Sequence, residues 1–307
     1  MATAMRARQA LFPIGMTLAG LASFSVMDGV MKAAAIAVGA YAALFWRNVF
    51  GALLMTPVWV TVRRRQGGGW LPRAAILGLH LARSALAGVM ATLFFWGTVH
   101  TPLAEAMALS FIAPLIALFL AAAFLGESIA RRAIGGSVMA LAGVGVIAAG
   151  KFGAHHSAAA VQGMIAILVS AVLYAMNLVL QRRQAQVAGP DEIAFFQSLF
   201  IALLFAPGAW WLGIWPDRDQ AALIGVGAVL AVVSLMLIGW AYARAEAQVL
   251  VPLEYTAFIW AALVGWLMFG EAVTWRTLAG VVLIVAGCLV AISTRTVPGD
   301  NGQPTPA

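Results

Sequence analysis

The sequence predicts an all-α integral membrane protein in which ten transmembrane helices form two inverted five-helix repeats. Hydrophobic residues occupy 63% of the 307 positions and charged residues only 9%, whereas soluble domains carry roughly 25% charged residues. The chain also contains ten apolar stretches close in length to the ~20 residues that a membrane-spanning helix needs. The same sequence features recur at a constant spacing of 144 residues, which indicates a duplicated unit.

The ten apolar stretches follow one another with only short polar or Gly/Pro-containing connections. They cover residues 11–31, 41–62, 74–99, 102–125, 129–150, 161–180, 192–212, 221–243, 247–269 and 273–293. These connections leave no room for a soluble catalytic module. The first stretch is too long for a signal sequence, and the repeat requires it as a helix, so we predict that it is retained.

Positive charge is unevenly distributed between the connections. With the N-terminus in the cytoplasm, twelve basic residues fall on the cytoplasmic side, and the four on the outer side are Lys32, Lys151, Arg218 and Arg276. This bias follows the positive-inside rule and predicts that both termini are cytoplasmic. The net charge of +7 therefore reflects membrane topology and attraction to anionic lipid, and no nucleic-acid partner is expected.

The duplicated unit is marked by a Gly-Glu pair, an arginine and two glycines. In the first copy these residues are Gly126, Glu127, Arg132, Gly136 and Gly143. Their counterparts 144 positions later are Gly270, Glu271, Arg276, Gly280 and Gly287, and Trp96 corresponds likewise to Trp240. Each copy holds five spans, an odd number, so the second copy crosses the membrane in the opposite sense, as in many secondary transporters. We place the halves at residues 1–150 and 151–293, and predict a disordered cytoplasmic tail over 294–307.

Ten spans, a five-plus-five repeat and a Gly-Glu pair before the last helix of each half resemble the drug/metabolite transporter superfamily, specifically its EamA-type members. The resemblance covers roughly residues 11–293. Within that family the chain is similar to the YddG-type amino-acid exporters of bacterial inner membranes. The resemblance implies a secondary transporter that exports small organic metabolites, above all amino acids, by alternating access to a central cavity. Only the similarity to the YddG-type exporters implies a preference for aromatic amino acids.

The repeated glycines and glutamates favour structural roles. Gly126-Glu127 and Gly270-Glu271 are expected to end one helix with a left-handed glycine and to direct a carboxylate at the amides of the next helix. One pair is inside and the other outside, so they cannot share a substrate site. Gly136 and Gly143 lie two turns apart on one helix face, as do their counterparts, which predicts that the last helices of the halves pack closely.

Ionisable residues inside the spans point to a cavity. Arg83 and Glu254 lie about nine and seven residues from the cytoplasmic ends of spans three and nine, and His80 is one turn before Arg83. Arg83 is suited to a carboxylate, while Glu254 or His80 would bind an amine or carry a proton. The alternative is a satisfied internal network that only holds helices together.

A second charged pair is predicted near the outer surface. Asp28 near the outer end of span one and Arg47 in the outer third of span two have similar depths, so an ion pair is expected, as a clamp or a proton-coupling site. Glu105 is only a few residues into span four and is expected to reach the interface.

Aromatic residues deep in their spans are predicted to line the cavity, whereas the tryptophans near span ends act as interfacial anchors. The deep residues are Tyr174, Tyr255 and Trp260, and Asn177 accompanies Tyr174 in span six. Pro114 and Pro252 interrupt spans four and nine and are either hinges or ordinary kinks.

The sequence contains no nucleophile elbow, P-loop, HExxH or paired-cysteine motif, so no enzymatic activity, cofactor or metal is expected. The single Cys288 is expected to fill space in the last span. A lipid-carrier flippase is the alternative within transport. A membrane enzyme acting on lipid-linked substrates is the less favoured alternative. Both halves are in one chain, so a monomer is expected to suffice.

Overall fold

The computed structural model describes residues 2–67, 71–125, 131–149, 157–212, 215–242, 244, 250 and 253–292. We number its helices in chain order. They are α1 (Ala2–Val38), α2 (Ala40–Gln66), α3 (Ala74–His100), α4 (Leu103–Ser110), α5 (Ala113–Leu125), α6 (Arg131–Ala149), α7 (Ala158–Ala185), α8 (Pro190–Leu212), α9 (Arg218–Tyr242), α10 (Ala257–Phe269) and α11 (Trp275–Ile292).

The predicted ten-span fold is confirmed. Within the described ranges, six helices are long and apolar enough to cross a membrane, and four shorter apolar segments bring the spans to ten. Helices α4 and α5 are two parts of the predicted fourth span. The proposed boundary at 150/151 and the tail from 294 lie outside the described residues, so those divisions stay predictions.

One predicted boundary is wrong. The first span was expected to end at residue 31 with Lys32 outside the membrane, but α1 continues to Val38 and ends before Gly39, whose φ is 83°. Lys32 is only 3% exposed within this helix. A lysine can continue a spanning helix when a carboxylate neutralises it, and the partly buried Glu271 forms that ion pair.

The two halves break their fourth helices at equivalent positions. Turns interrupt the chain at Phe111 and Ile112, and again 144 residues later at Tyr255 and Thr256. Pro114 explains the first break, because proline cannot donate its backbone hydrogen bond and clashes with the preceding turn. The rings of Phe111 and Tyr255 meet edge to face with centroids 5.2 Å apart, so these repeat mates contact each other where the halves join.

The last helices of the two halves, α6 and α11, pack against each other through the repeated glycines, as predicted. A Cβ atom on Gly143 would lie 2.6 Å from the carbonyl oxygen of Gly280, and one on Gly280 would lie 2.8 Å from that of Gly143. Gly287 meets the backbone of Gly136 in the same way. Small residues thus allow the two backbones to touch, which is how helices associate tightly in lipid.

The remaining helices pair across the halves in the pattern that an inverted repeat requires. Helix α1 packs mainly on α9, and α3 on α7, which are the same pairing with the halves exchanged. Helices α2 and α8, repeat mates themselves, meet through stacked rings of Trp59 and Phe195, with centroids 4.6 Å apart. Every major interface therefore joins the two halves, and the space between them is where a site would form.

Glu271, the glutamate of the second Gly-Glu pair, does not direct its carboxylate at the next helix as predicted. Gly270 has a φ of 65° and closes α10, as expected. Glu271, however, reaches across to the other half, where its Oε2 accepts a hydrogen bond of 2.7 Å from the backbone N–H of Leu103 at the start of α4. Its other oxygen binds Lys32. Glu271 thus caps a helix of the opposite half, not α11. Gly126-Glu127 lies outside the described residues.

Glu105 also differs from expectation. It is 7% exposed and does not reach the interface, because its carboxylate accepts a hydrogen bond of 3.1 Å from the hydroxyl of Thr277 in α11. This contact fixes α4 against the last helix. Cys288 is fully buried as predicted, and its thiol donates to the carbonyl of Phe111 at 3.3 Å.

Candidate functional site

The site begins on the face of α3 that packs against α7. Arg83 is 5% exposed, and its guanidinium donates two hydrogen bonds to amide oxygens of α7. Nε donates to Oδ1 of Asn177 at 3.1 Å, and Nη1 donates to Oε1 of Gln184 at 2.5 Å. Asn177 and Gln184 are seven residues apart, two helical turns, so both lie on the face of α7 that meets Arg83.

The polar contacts continue towards the N-terminal end of α3. His80 is fully buried, with Nδ1 2.5 Å from Nε2 of Gln184 and Nε2 3.1 Å from Oε1 of Glu192. The other carboxylate oxygen of Glu192 pairs with Arg63 at 3.4 Å. The ring of Phe196 stacks on His80 with centroids 5.1 Å apart. A continuous polar network therefore joins α7, α3, α8 and α2.

Tyr174 identifies accessible space next to this network. It lies on the face of α7 that carries Ile167, Ser170 and Asn177, which are 0%, 4% and 4% exposed. Tyr174 is nevertheless 38% exposed. We interpret this exposure, on a face that otherwise packs against α3, as an opening beside the Tyr174 ring.

Arg83 and Glu254 border the same opening. Tyr174 lies within electrostatic range of both residues, and the side chain of Glu254 is exposed. The hydrogen bonds from Nε and Nη1 hold the Arg83 guanidinium against α7 at this opening. We call Arg83, Tyr174, Asn177 and Glu254 the central site.

Two predicted cavity aromatics lie elsewhere. Tyr255 and Trp260 are half-buried and pack against the hydrophobic cluster formed by α4 to α7, α10 and α11. Tyr255 contacts Phe111 where the halves join, and a hydrogen bond links it to Cys288. The geometry groups these two residues with the core, and their part in substrate binding stays a prediction.

Asp28 of α1 and Arg47 of α2 lie near each other without direct contact. They interact electrostatically, but the ion pairs found in the described ranges are Lys32–Glu271, Arg63–Glu192 and His80–Glu192. Arg47 instead lies over the ring of Phe95, 5.9 Å from its centroid. The predicted direct ion pair is not formed in this conformation.

Sequence reasoning missed Gln184 and Glu192, which complete the network. Gln184 stands in the last turn of α7 and Glu192 in the first turn of α8, positions that usually reach the membrane surface. The available signal was spacing: Gln184 lies two turns from Asn177 on the same face. Pro252 lies outside the described residues. Among the residues that the structure describes, no group of three or more His, Cys, Asp or Glu side chains is placed to hold a metal ion.

The inverted fold and the charged opening between its halves define a multi-pass membrane carrier. The sequence profile of the EamA-like transporter family matches residues 11–149 and again 161–293, so the chain belongs to that family. It is therefore a membrane transporter of the drug/metabolite superfamily and not an enzyme, and the membrane-enzyme alternative is wrong.

Several relatives are named for the compounds that they carry. Over 289 residues the chain is 29% identical to the pseudopaline exporter of Pseudomonas aeruginosa, covering 93% of this chain and 98% of the relative. It is 27% identical to the "Probable terminal-alkyne amino-acid exporter" of Streptantibioticus cattleyicolor, covering 76% of this chain and 79% of the relative. The S-adenosylmethionine uptake transporter of Rickettsia bellii is 24% identical, with coverage of 91% and 92%.

A solved structure also matches the fold. It superposes with a TM-score of 0.60 at 21% sequence identity and covers 93% of this chain and 99% of its own. This likeness supports the ten-helix architecture.

Proposed function

We propose that the protein is a secondary transporter that exports small organic metabolites, most of all amino acids or amino-acid derivatives, across a bacterial inner membrane. The observation that carries this proposal is the guanidinium of Arg83, held by Asn177 and Gln184 at an opening that Tyr174 and Glu254 also border. A cation and an anion facing one opening suit a zwitterion. The names of two relatives, a pseudopaline exporter and an amino-acid exporter, support the direction and the substrate class.

Arg83 would bind the substrate carboxylate. Guanidinium groups form paired, charge-assisted hydrogen bonds with carboxylates, and such bonds gain strength away from bulk water. The hydrogen bond from Nε to Asn177 already restricts the Arg83 side chain in the empty transporter, so less rotational freedom is lost on binding. Glu254 would bind the amine, and the Tyr174 ring would contact the side chain of the substrate.

Alternating access would move the opening from one membrane face to the other. The α6–α11 contact is backbone to backbone and suits a fixed element, while the break before Pro114 gives the fourth span a point at which to bend. The positive-inside bias supports a cytoplasmic position for both termini, even after Lys32 is moved from the outer side into α1. We propose that one chain forms the working unit, because both halves are present in it.

The substrate class can be tested by counterflow in proteoliposomes with three matched sets of compounds: amino acids, their amides, which lack the carboxylate, and their N-acetyl forms, which lack the charged amine. We expect exchange of amino acids and poor exchange of both modified sets. Replacing Arg83 by glutamine removes a charged hydrogen-bond donor, typically ~1.5–3 kcal/mol, so exchange should fall about 10-fold or more.

Controls separate this result from misfolding. Arg64→Gln removes an exposed arginine from the end of α2 and should leave exchange unchanged. Arg83→Gln protein that elutes as a single peak and exchanges amino acids at the wild-type rate would refute the role of Arg83. Failure of the wild type to exchange any amino acid, together with movement of a fluorescent lipid in the same vesicles, would favour the flippase.

A further inference from the structure

We propose that Gln184 is a positioning residue that links anion binding at Arg83 to protonation of His80. The proposal rests on the proposed function, in that the anion is the substrate carboxylate. It adds a proton site and a means of coupling to the central site. The observation behind it is the direct chain of contacts from Arg83 through the Gln184 amide to the His80 ring.

The hydrogen bonds fix the protonation of His80 in the empty transporter. Arginine can only donate, so the Gln184 atom that faces Arg83 must be the amide oxygen. The Gln184 NH₂ group, which also only donates, then faces Nδ1 of His80. Nδ1 must therefore accept, so His80 is neutral and carries its proton on Nε2, from which it donates to Glu192.

A bound carboxylate changes this arrangement. When it draws the Arg83 guanidinium towards the opening, the hydrogen bond from Nη1 to Gln184 is released. The Gln184 amide can then turn and present its oxygen to Nδ1 of His80. Nδ1 can now accept a proton from hydronium that enters the opening with solvent, which leaves neutral water, and His80 becomes an imidazolium between Gln184 and the Glu192 carboxylate. The bond from the proton to water breaks as the bond to Nδ1 forms.

The local charge works in the same direction. Within the network of contacts that includes His80, the charged groups are Arg83, Arg63 and Glu192, a sum of +1. An imidazolium would raise this sum to +2 in the empty protein. A bound carboxylate lowers it again by one, so the charge that opposes protonation is removed when the site is filled. Binding and protonation therefore favour each other, and by linkage each strengthens the other by the same factor.

The first test needs no ligand. Protein labelled with ¹⁵N-histidine and held in nanodiscs reports by NMR which ring nitrogen carries a proton, and the His80→Gln variant assigns the His80 signals. At neutral pH we expect the wild type to show a proton on Nε2 alone. In Gln184→Glu, a near-isosteric change, a carboxylate faces both Arg83 and Nδ1. We therefore expect His80 to gain a second proton at the same pH.

His100 provides an internal control in the same spectrum. It lies at the far end of α3, where Nδ1 faces the carbonyl oxygen of Trp96 at 3.0 Å, so it should carry a proton on Nδ1 in every variant. Arg83→Met should also allow Nδ1 of His80 to be protonated, because the constraint on the Gln184 amide is removed. Wild-type signals from His80 in both Gln184→Glu and Arg83→Met would overturn the proposal.

The second test adds ligand to the wild type. L-phenylalanine is the probe, and L-phenylalaninamide, which lacks the carboxylate, is its control. Saturating phenylalanine should protonate Nδ1 of His80, and the amide should not. If the ligand-free variants behave as expected but phenylalanine exchanges in vesicles without changing His80, the link to the substrate is overturned while the transport function stands. If no amino acid exchanges or alters the signal, the proposed function fails, together with the link to it.

Discussion

Replacing Gly143 by leucine is expected to separate α6 from α11 and leave little correctly folded protein. A Cβ atom at this position would lie 2.6 Å from a backbone oxygen and 3.0 Å from the backbone nitrogen of Ile284, so no side-chain rotation relieves the clash. Overpacking typically costs ~1–3 kcal/mol, and displaced backbone takes it to the upper end of that range. The yield of monodisperse protein and its melting temperature in detergent should both fall sharply.

Gly145 is the matched control for Gly143. It lies two residues further along α6, and a Cβ atom there would meet no other atom within 4 Å, so Gly145→Leu should purify and melt like the wild type. Gly280→Leu should reproduce the loss, because Gly280 occupies the equivalent place on α11. A Gly143→Leu protein with the wild-type melting temperature would show that the packing of α6 on α11 does not require this close backbone contact.

The α6–α11 interface shows what the sequence can predict. Glycines repeated at seven-residue spacing in each half, and again at the 144-residue offset, indicate that the last helix of each half packs closely against another helix. This prediction follows from the spacing of the glycines along the sequence and does not depend on which distant side chains meet. The predicted depth of Arg83 and Glu254 likewise rests on helical rise alone.

The partners of the charged residues were not predictable in this way. Gln184 and Glu192 lie near helix ends, where polar residues are usually solvated, and only the packing of α7 and α8 against α3 buries them. Lys32 was assigned to a loop because a charge normally ends an apolar stretch. Its carboxylate partner lies 239 residues away in the other half, and no local pattern connects the two.

Neutralising Glu271 is expected to destabilise the packing of α1, α4 and α10 strongly, and the effect should disappear when Lys32 is neutralised as well. Lys32 is 3% exposed, and its ammonium group contacts Glu271 and donates to the carbonyl of Thr101 at 3.0 Å. Removing one partner of a buried ion pair typically costs ~3–5 kcal/mol, because the other charge stays buried without its counter-charge. Glu271→Gln should therefore melt well below the wild type in detergent.

The double variant Lys32→Met with Glu271→Gln removes both charges but keeps the hydrogen bond to Leu103 and the packing of the side chains. The glutamine can still accept the hydrogen bond from the N–H of Leu103, and methionine fills the space of the lysine stem. With both charges gone, no buried charge remains uncompensated, so stability should return close to the wild-type value. Arg276→Gln, an exposed residue of the same hairpin, should change stability by no more than about 0.5 kcal/mol. If the double variant is as unstable as Glu271→Gln alone, the carboxylate stabilises the hairpin through Leu103 and not through Lys32. The ion pair would then contribute little to the packing of α1, α4 and α10.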